Sequence, residues 1–154
     1  MQSPEDILTE AEIAIDGLGD LDASTVAGLR VALLQTRLAM DRLLPVLTSA
    51  EMYLGRASVA VAVSSSNYQD RWDQEATEFT KGRSRDDLAP SERFARYKLR
   101  SLDEAKQKRA AEKLSIEYDA VVRQVRQIYK HIDGRRMDIH ALIRANAFES
   151  SLER

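Results

Sequence analysis

A run of apolar residues spaced seven apart is the feature that most constrains how this chain folds. Seven successive heptad positions hold no charged residue: Val26, Leu33, Met40, Leu47, Leu54, Val61 and Tyr68. This spacing keeps side chains on one face of an α-helix and indicates a helix that packs lengthwise against another helix. Lys81 and Gly82 then supply a basic last turn and a glycine, which are typical of a helix C-terminus. The pattern therefore predicts a long second helix over about residues 24–81.

Helix-start and helix-stop residues divide the remainder of the chain. Ser3 and Pro4 are typical of a helix N-terminus, and a Gly-Leu-Gly stretch ends the short helix that follows. Residues 1–20 are therefore predicted to form a short N-terminal helix. A polar segment over about residues 82–89 predicts a turn. The proline that follows this segment suits the first turn of a third helix, which is expected over about residues 90–150.

The third helix carries an apolar line of its own. This line continues in phase across Gly134, so the glycine is predicted to lie inside a continuous helix at a cost of about 1 kcal/mol. Pro45 is predicted to kink the second helix without ending it. Two long helices joined by a short polar turn form an antiparallel hairpin. Residues 21–154 are therefore predicted to form an all-α coiled-coil hairpin, in one domain with the N-terminal helix. The apolar line comprises Leu114, Tyr118, Val121, Val125, Ile128, Ile132, Ile139 and Leu142.

The position of the turn sets the register of this hairpin. A turn centred near residue 86 places Leu47 level with Val125 and Val61 level with Ala111. The companion positions of the seam, three residues after each heptad position, are Leu29, Thr36, Leu43, Ala50, Ala57 and Ser64. Large side chains would then meet in the first half of the second helix. Smaller ones would meet in its second half, where the two helices can come closer together.

The second helix carries a further apolar stripe on the side away from the hairpin seam, which we call the outer stripe. Its residues are Val31, Leu34, Leu38, Met52, Val59 and Val63. A helix that is apolar on two sides normally lies between two neighbours. The N-terminal helix, about 20 Å long, is too short to cover a stripe of about 48 Å. We therefore expect a homodimeric bundle in which the outer stripe meets its copy; the alternative is that a helix of a different protein covers it.

Residues that commonly carry chemistry are scarce in this chain. It has no cysteine, which excludes disulfides, thiolate metal sites and thiol nucleophiles. Its two histidines, His131 and His140, are nine residues apart and so face opposite sides of one helix. No glycine-rich phosphate loop, Gly-x-Ser-x-Gly elbow or zinc-ligand spacing occurs. We therefore expect no enzyme activity, no cofactor and no metal site.

Charge is distributed unevenly along the chain. Residues 1–80 contain 5 arginines and 13 acidic residues, a net charge of −8, whereas residues 81–154 contain 18 basic and 12 acidic residues, a net charge of +6. A basic cluster at the hairpin tip could meet a phosphate backbone through Arg83, Arg85, Arg93, Arg96, Lys98 and Arg100. In the alternative arrangement these arginines pair across the hairpin with Asp70, Asp73, Glu75 and Glu78.

These patterns lead to two functional expectations. The first is a non-enzymatic coiled-coil protein that self-associates and acts through protein–protein contacts, as a scaffold, adaptor or inhibitor of a partner. The second is a nucleic-acid-binding accessory protein that uses the basic tip over residues 81–109. The acidic N-terminal segment lacks the features of a secretion signal, and no uncharged run is long enough to span a membrane. Together with the lack of cysteine, this favours a cytoplasmic location without membrane contact.

Overall fold

A computed structural model of the chain describes residues 1–16, 18, 25–81, 95, 96 and 98–152. Its long elements are the helices α1 (Pro4–Ile15), α2 (Val26–Lys81) and α3 (Leu102–Leu152). No strand occurs within the described residues, and the prediction of an all-α fold is confirmed. The predicted turn over residues 82–89 lies outside them.

A capping box defines the start of α1. The Ser3 hydroxyl accepts a hydrogen bond of 3.1 Å from the Asp6 N–H, and the Ser3 N–H donates one of 3.1 Å to the Asp6 carboxylate. Hydrogen bonding to the Ser3 side chain, and then to its backbone, holds the pKa of the Asp6 carboxyl below its ordinary value. The face that α1 buries consists of Ile7, Ala11 and Ala14.

Both long helices pass through residues that disfavour a helix. α2 continues through Pro45, which lacks an N–H and so forfeits one backbone hydrogen bond. α3 continues through Gly134. Thr25 caps α2, since its hydroxyl accepts a 2.9 Å hydrogen bond from the Gly28 N–H. Tertiary packing stabilises a helix more than local propensity does, and it offsets the local costs of Pro45 and Gly134.

The third helix differs from its predicted bounds. Residues 95, 96 and 98–100 are helical, but Ser101 forms a turn before α3 begins at Leu102. The helix expected from about residue 90 is therefore interrupted at Ser101. This serine is buried, and its carbonyl accepts a 3.0 Å hydrogen bond from the Ala105 N–H, which is the pattern of a residue that caps a helix.

The described residues form two compact units, and α2 and α3 contribute to both. The first comprises Met1–Tyr53 and Tyr118–Arg154, and the second comprises Leu54–Glu117. A long α2 packs against α3, which confirms the predicted helical hairpin. The individual pairings predicted for Leu47 and Val61 stay predictions.

In the first unit α2 and α3 run antiparallel. Leu29 packs with Ile139, whereas Tyr53, later in α2, stacks on Tyr118, earlier in α3, with 5.9 Å between ring centroids. The predicted register places Tyr53 opposite residue 119, next to its observed partner. The Tyr118 hydroxyl also donates a 2.6 Å hydrogen bond to the carbonyl of Gln2. This buried ring therefore ties the N-terminal segment to both long helices.

The buried line of α2 follows the companion positions of the predicted seam more closely than the heptad run. The most buried positions come three residues after that run and are at most 2% exposed: Leu29, Thr36, Leu43, Ala50 and Ala57. Members of the run itself are mostly half-buried, and its first member, Val26, is exposed. Burial extends to this side of the seam because α2 also faces α1, whose Ala14 lies beside Ala39 and Val46. A helix with two neighbours buries the face that lies between them.

The second unit relies more on polar contacts. Among its described residues Ala57 is the only buried apolar side chain. Glu75 is 3% exposed, and its carboxylate pairs with the guanidinium groups of Arg71 at 2.7 Å and Arg100 at 2.9 Å. The Lys108 ammonium lies over the Tyr68 ring, 5.5 Å from its centroid. The two chain segments are antiparallel here as well, because Tyr68 precedes Glu75 whereas Lys108 follows Arg100.

Candidate interaction surfaces

The six residues of the outer stripe are all exposed to solvent in the single chain. Their exposed fractions lie between 46% and 63%. Val31, Leu34, Leu38 and Met52 belong to the first unit, and Val59 and Val63 to the second. At about 100° per residue, the stripe lies roughly 150° around α2 from the buried line. The outer stripe is therefore the face of α2 that is turned away from its core.

The outer stripe is large for an exposed apolar surface. From Val31 to Val63 it extends over about 48 Å of helix at 1.5 Å per residue. A face about 10 Å wide gives an apolar footprint of roughly 500 Å², which approaches the largest patches on soluble monomers. A single exposed leucine is ordinary on a protein surface, but six aliphatic side chains aligned on one face are typical of an interaction site.

The N-terminal helix lies beside the outer stripe without covering it. Ala14 and Leu18 line a cleft of about 140 Å³ together with Leu38. More than half of the Leu38 side chain nevertheless stays exposed. With 12 residues, α1 is about 18 Å long and is much shorter than the stripe. Its contact is therefore limited to one flank of the stripe near Leu38.

Three further exposed residues complete this face of α2: Asp41, Pro45 and Arg56. Asp41 and Arg56 carry opposite charges within an otherwise aliphatic face. Asp41 has no ion-pair partner among the residues that the structure describes. A charge on such a face must either stay in water or meet an opposite charge when the face is covered.

The residues predicted to contact nucleic acid are only partly described. Arg83, Arg85 and Arg93 lie outside the described residues. Arg96, Lys98 and Arg100 precede α3 and are exposed. Arg100 forms the ion pair with Glu75, which is the cross-hairpin pairing expected in the alternative arrangement. Its charge is therefore partly neutralised within the chain.

The other acids predicted to pair across the hairpin have different contacts. The Asp70 carboxylate accepts a hydrogen bond of 3.5 Å from the Ser66 hydroxyl, and the Asp73 carboxylate accepts one of 3.0 Å from the Gln69 amide. Both donors lie on α2 itself. The side chain of Glu78 lies outside the described part of the chain. Of the four predicted acids, Glu75 is thus the one with a described cross-hairpin ion pair.

The two histidines lie in different surroundings. His131 lines a cleft of about 440 Å³ together with Ile15, Ile128 and Ile132. His140 is exposed further along α3. Across the described residues, no three His, Asp or Glu side chains lie close enough to hold a metal ion. None of the helices in the described part combines the length and the apolar character needed to cross a bilayer.

Comparison of the chain with protein-family models, curated proteins and solved structures gave no match. What the protein does must therefore be inferred from its own residues. Sequence reasoning missed the pairing of Glu75 with Arg71, and it missed the hydrogen bond between Tyr118 and Gln2. A signal for the burial of Glu75 does exist, because this residue follows Ala57 by five helical turns and so falls on the buried line.

Proposed function

We propose that this chain is a non-enzymatic coiled-coil protein that self-associates through the outer stripe and acts through protein–protein contacts, as a scaffold, adaptor or inhibitor of a partner. The observation that carries the proposal is the exposure of six aligned aliphatic side chains on the face of α2 turned away from its core. Removing apolar surface from water is favourable by roughly 25 cal/mol per Å². A second copy offers a surface of matching length and character.

The size of the stripe bears on the strength of this association. Two copies together would bury about 1,000 Å² of mainly apolar surface, which is near the lower limit of specific interfaces. The loss of translational and rotational freedom on association, about 4–15 kcal/mol, opposes the hydrophobic gain. We therefore expect a reversible dimer with a dissociation constant of roughly micromolar size.

Light scattering of the purified chain over a range of concentrations tests the proposal. The weight-average mass should rise from that of one chain towards that of two as the concentration passes through about 1–100 µM. A mass that stays at one chain throughout this range would refute self-association. It would leave a different protein as the occupant of the stripe.

Nucleic-acid binding is the second candidate, and the exposure of Arg96 and Lys98 favours it. The pairing of Arg100 with Glu75 weakens it, because that guanidinium is already engaged. A gel-shift experiment with single- and double-stranded DNA at increasing salt separates the two candidates. Binding that falls steeply with salt and is lost in an Arg93, Arg96, Arg100 triple-alanine variant would support this function. No binding near physiological salt would remove it.

A further inference from the structure

A cleft of about 440 Å³ lies between the C-terminal end of α1 and the middle of α3. We call it the α1–α3 cleft. Its lining residues all belong to the first compact unit, and none of them is part of the outer stripe. Small-molecule sites in proteins commonly have volumes of about 300–1,000 Å³. The cleft is therefore large enough to hold a small organic molecule.

Four aliphatic side chains from the two helices form the apolar part of the α1–α3 cleft. Ile132 is 2% exposed and provides its floor. Ile15, Leu18 and Ile128 line the cleft as well and are half-buried. The two helices thus leave aliphatic surface partly open to water. A hydrocarbon chain that covers this surface is stabilised by the hydrophobic effect.

Three polar side chains line the same cleft from α3 alone. Gln127, His131 and Arg135 follow one another at four-residue spacing, in a row about 12 Å long. Each of these side chains can donate N–H hydrogen bonds. Among the residues that the structure describes, no acidic side chain lines the cleft. An aliphatic surface and a row of hydrogen-bond donors therefore lie side by side.

Two successive arginines of α3 differ in their ion pairing. Arg136 pairs with Asp133 at 2.7 Å. Arg135 is half-buried at the cleft and forms no ion pair with the residues that the structure describes. A guanidinium group binds a carboxylate through two parallel hydrogen bonds. Arg135 thus offers the cleft one cationic group for an anionic ligand.

We propose that the α1–α3 cleft binds a medium-chain fatty acid, with the hydrocarbon chain over Ile128 and Ile132 and the carboxylate at Arg135. One guanidinium without an acidic partner matches a single negative charge, which favours a carboxylate over a phosphate group. The row of about 12 Å limits the length of the chain that the cleft can hold, which favours a medium chain over a long one. This site is separate from the outer stripe and does not depend on self-association.

Isothermal titration calorimetry with decanoate, below the concentration at which it forms micelles, tests the site. We expect a dissociation constant of roughly 0.01–1 mM. Decylamine has the same chain with the opposite charge, and acetate has the carboxylate without the chain. Each should bind at least about tenfold more weakly than decanoate. Equal binding of decanoate and decylamine would overturn the proposal, and so would an absence of decanoate binding up to about 10 mM.

Charge changes at Arg135 locate the ligand. Arg135→Gln should weaken decanoate binding by about tenfold. Arg135→Glu should reverse the preference, so that decylamine binds more tightly than decanoate. Arg144→Gln and Arg144→Glu are the matched controls, because Arg144 is an exposed arginine of α3 that does not line the cleft. Unchanged decanoate binding by Arg135→Glu, or equal weakening by Arg144→Glu, would overturn the assignment of Arg135.

Two further measurements separate this site from the outer stripe and from effects on the fold. Circular dichroism should show equal helix content in all four arginine variants. Leu34→Lys should bind decanoate like the wild type, and loss of binding in this variant would place the ligand on the outer stripe and overturn the proposal. Light scattering should show that Arg135→Gln self-associates like the wild type. Failure of decanoate binding therefore leaves the proposed self-association standing, and a monomeric chain leaves the cleft standing.

Discussion

Replacement of Leu34 by lysine should break the dimer while leaving the fold of each chain intact. Leu34 lies on the outer stripe, where its side chain contacts water in the single chain. A lysine at this position keeps good helix propensity and can extend its ammonium into solvent. In a dimer covered along the stripe, the same ammonium lies at an apolar contact.

The size of this effect follows from the exposed fraction. Complete burial of a leucine side chain contributes about 1.5–3 kcal/mol. Covering the 61% of Leu34 that is exposed therefore contributes about 1–2 kcal/mol per chain. A symmetric dimer contains the residue twice, so the loss is about 2–4 kcal/mol, and the dissociation constant should rise at least about 30-fold. The aliphatic stem of lysine retains some contact, which favours the lower half of this range.

Sedimentation velocity of wild-type and Leu34→Lys chains measures the change. Ile116→Lys is the matched control, because Ile116 is an exposed aliphatic residue of α3, 70% exposed and away from the outer stripe. We expect the control to associate like the wild type and both variants to unfold at the wild-type urea concentration. Equal association of Leu34→Lys and the wild type would refute the assignment of the stripe as the interface. So would equal weakening of association by Ile116→Lys.

Three further predictions concern the fold. Gly134→Ala should stabilise the chain by about 0.5–1 kcal/mol in urea unfolding, because helix α3 surrounds the glycine and a new Cβ meets no atom within 4 Å; a loss of stability would show that the glycine serves a packing role. Tyr118→Phe should cost about 1 kcal/mol through loss of the hydrogen bond to Gln2, and an unchanged urea midpoint would contradict that contact. The lowered pKa of Asp6 means that its contribution to stability is present above its ordinary pKa, near 4, and is lost as the pH falls through the lower folded-state pKa. Asp6→Asn should reduce the loss of stability on acidification in pH-dependent thermal unfolding, and an unchanged profile would exclude this role.

Much of the fold follows from the spacing of apolar residues. The heptad run predicted a long second helix, and a helical hairpin follows once a similar third helix and a polar connection are present. The side of α2 that faces α1 could not be predicted in the same way. Ala39 and Val46 are buried because α1 packs beside them, and a heptad count along one helix does not reveal that neighbour. Leu142 was also expected on the seam but is exposed, whereas Ile143 packs against the core.

The candidate surfaces were predictable to different degrees. The outer stripe could be read from sequence because residues on one helix face recur at fixed spacing, although its role as an interface stays a prediction. The partner of Arg100 could be narrowed to four acids but not chosen among them. That choice depends on the register of the two helical segments and on the burial of Glu75. Sequence reasoning missed the turn at Ser101 although a local signal marks it, because Ser101 and Glu104 have the spacing of a capping box and Asp103 adds a second acid to the first turn of α3.

The central claim, that a second copy covers the outer stripe, is tested most directly by the reactivity of single introduced cysteines. The thiol of Leu34→Cys should react with a maleimide probe more slowly at about 100 µM chain than at about 1 µM, because association covers this position. The thiol of Ile116→Cys should react at the same rate at both concentrations. Equal rates for Leu34→Cys at the two concentrations would contradict the account.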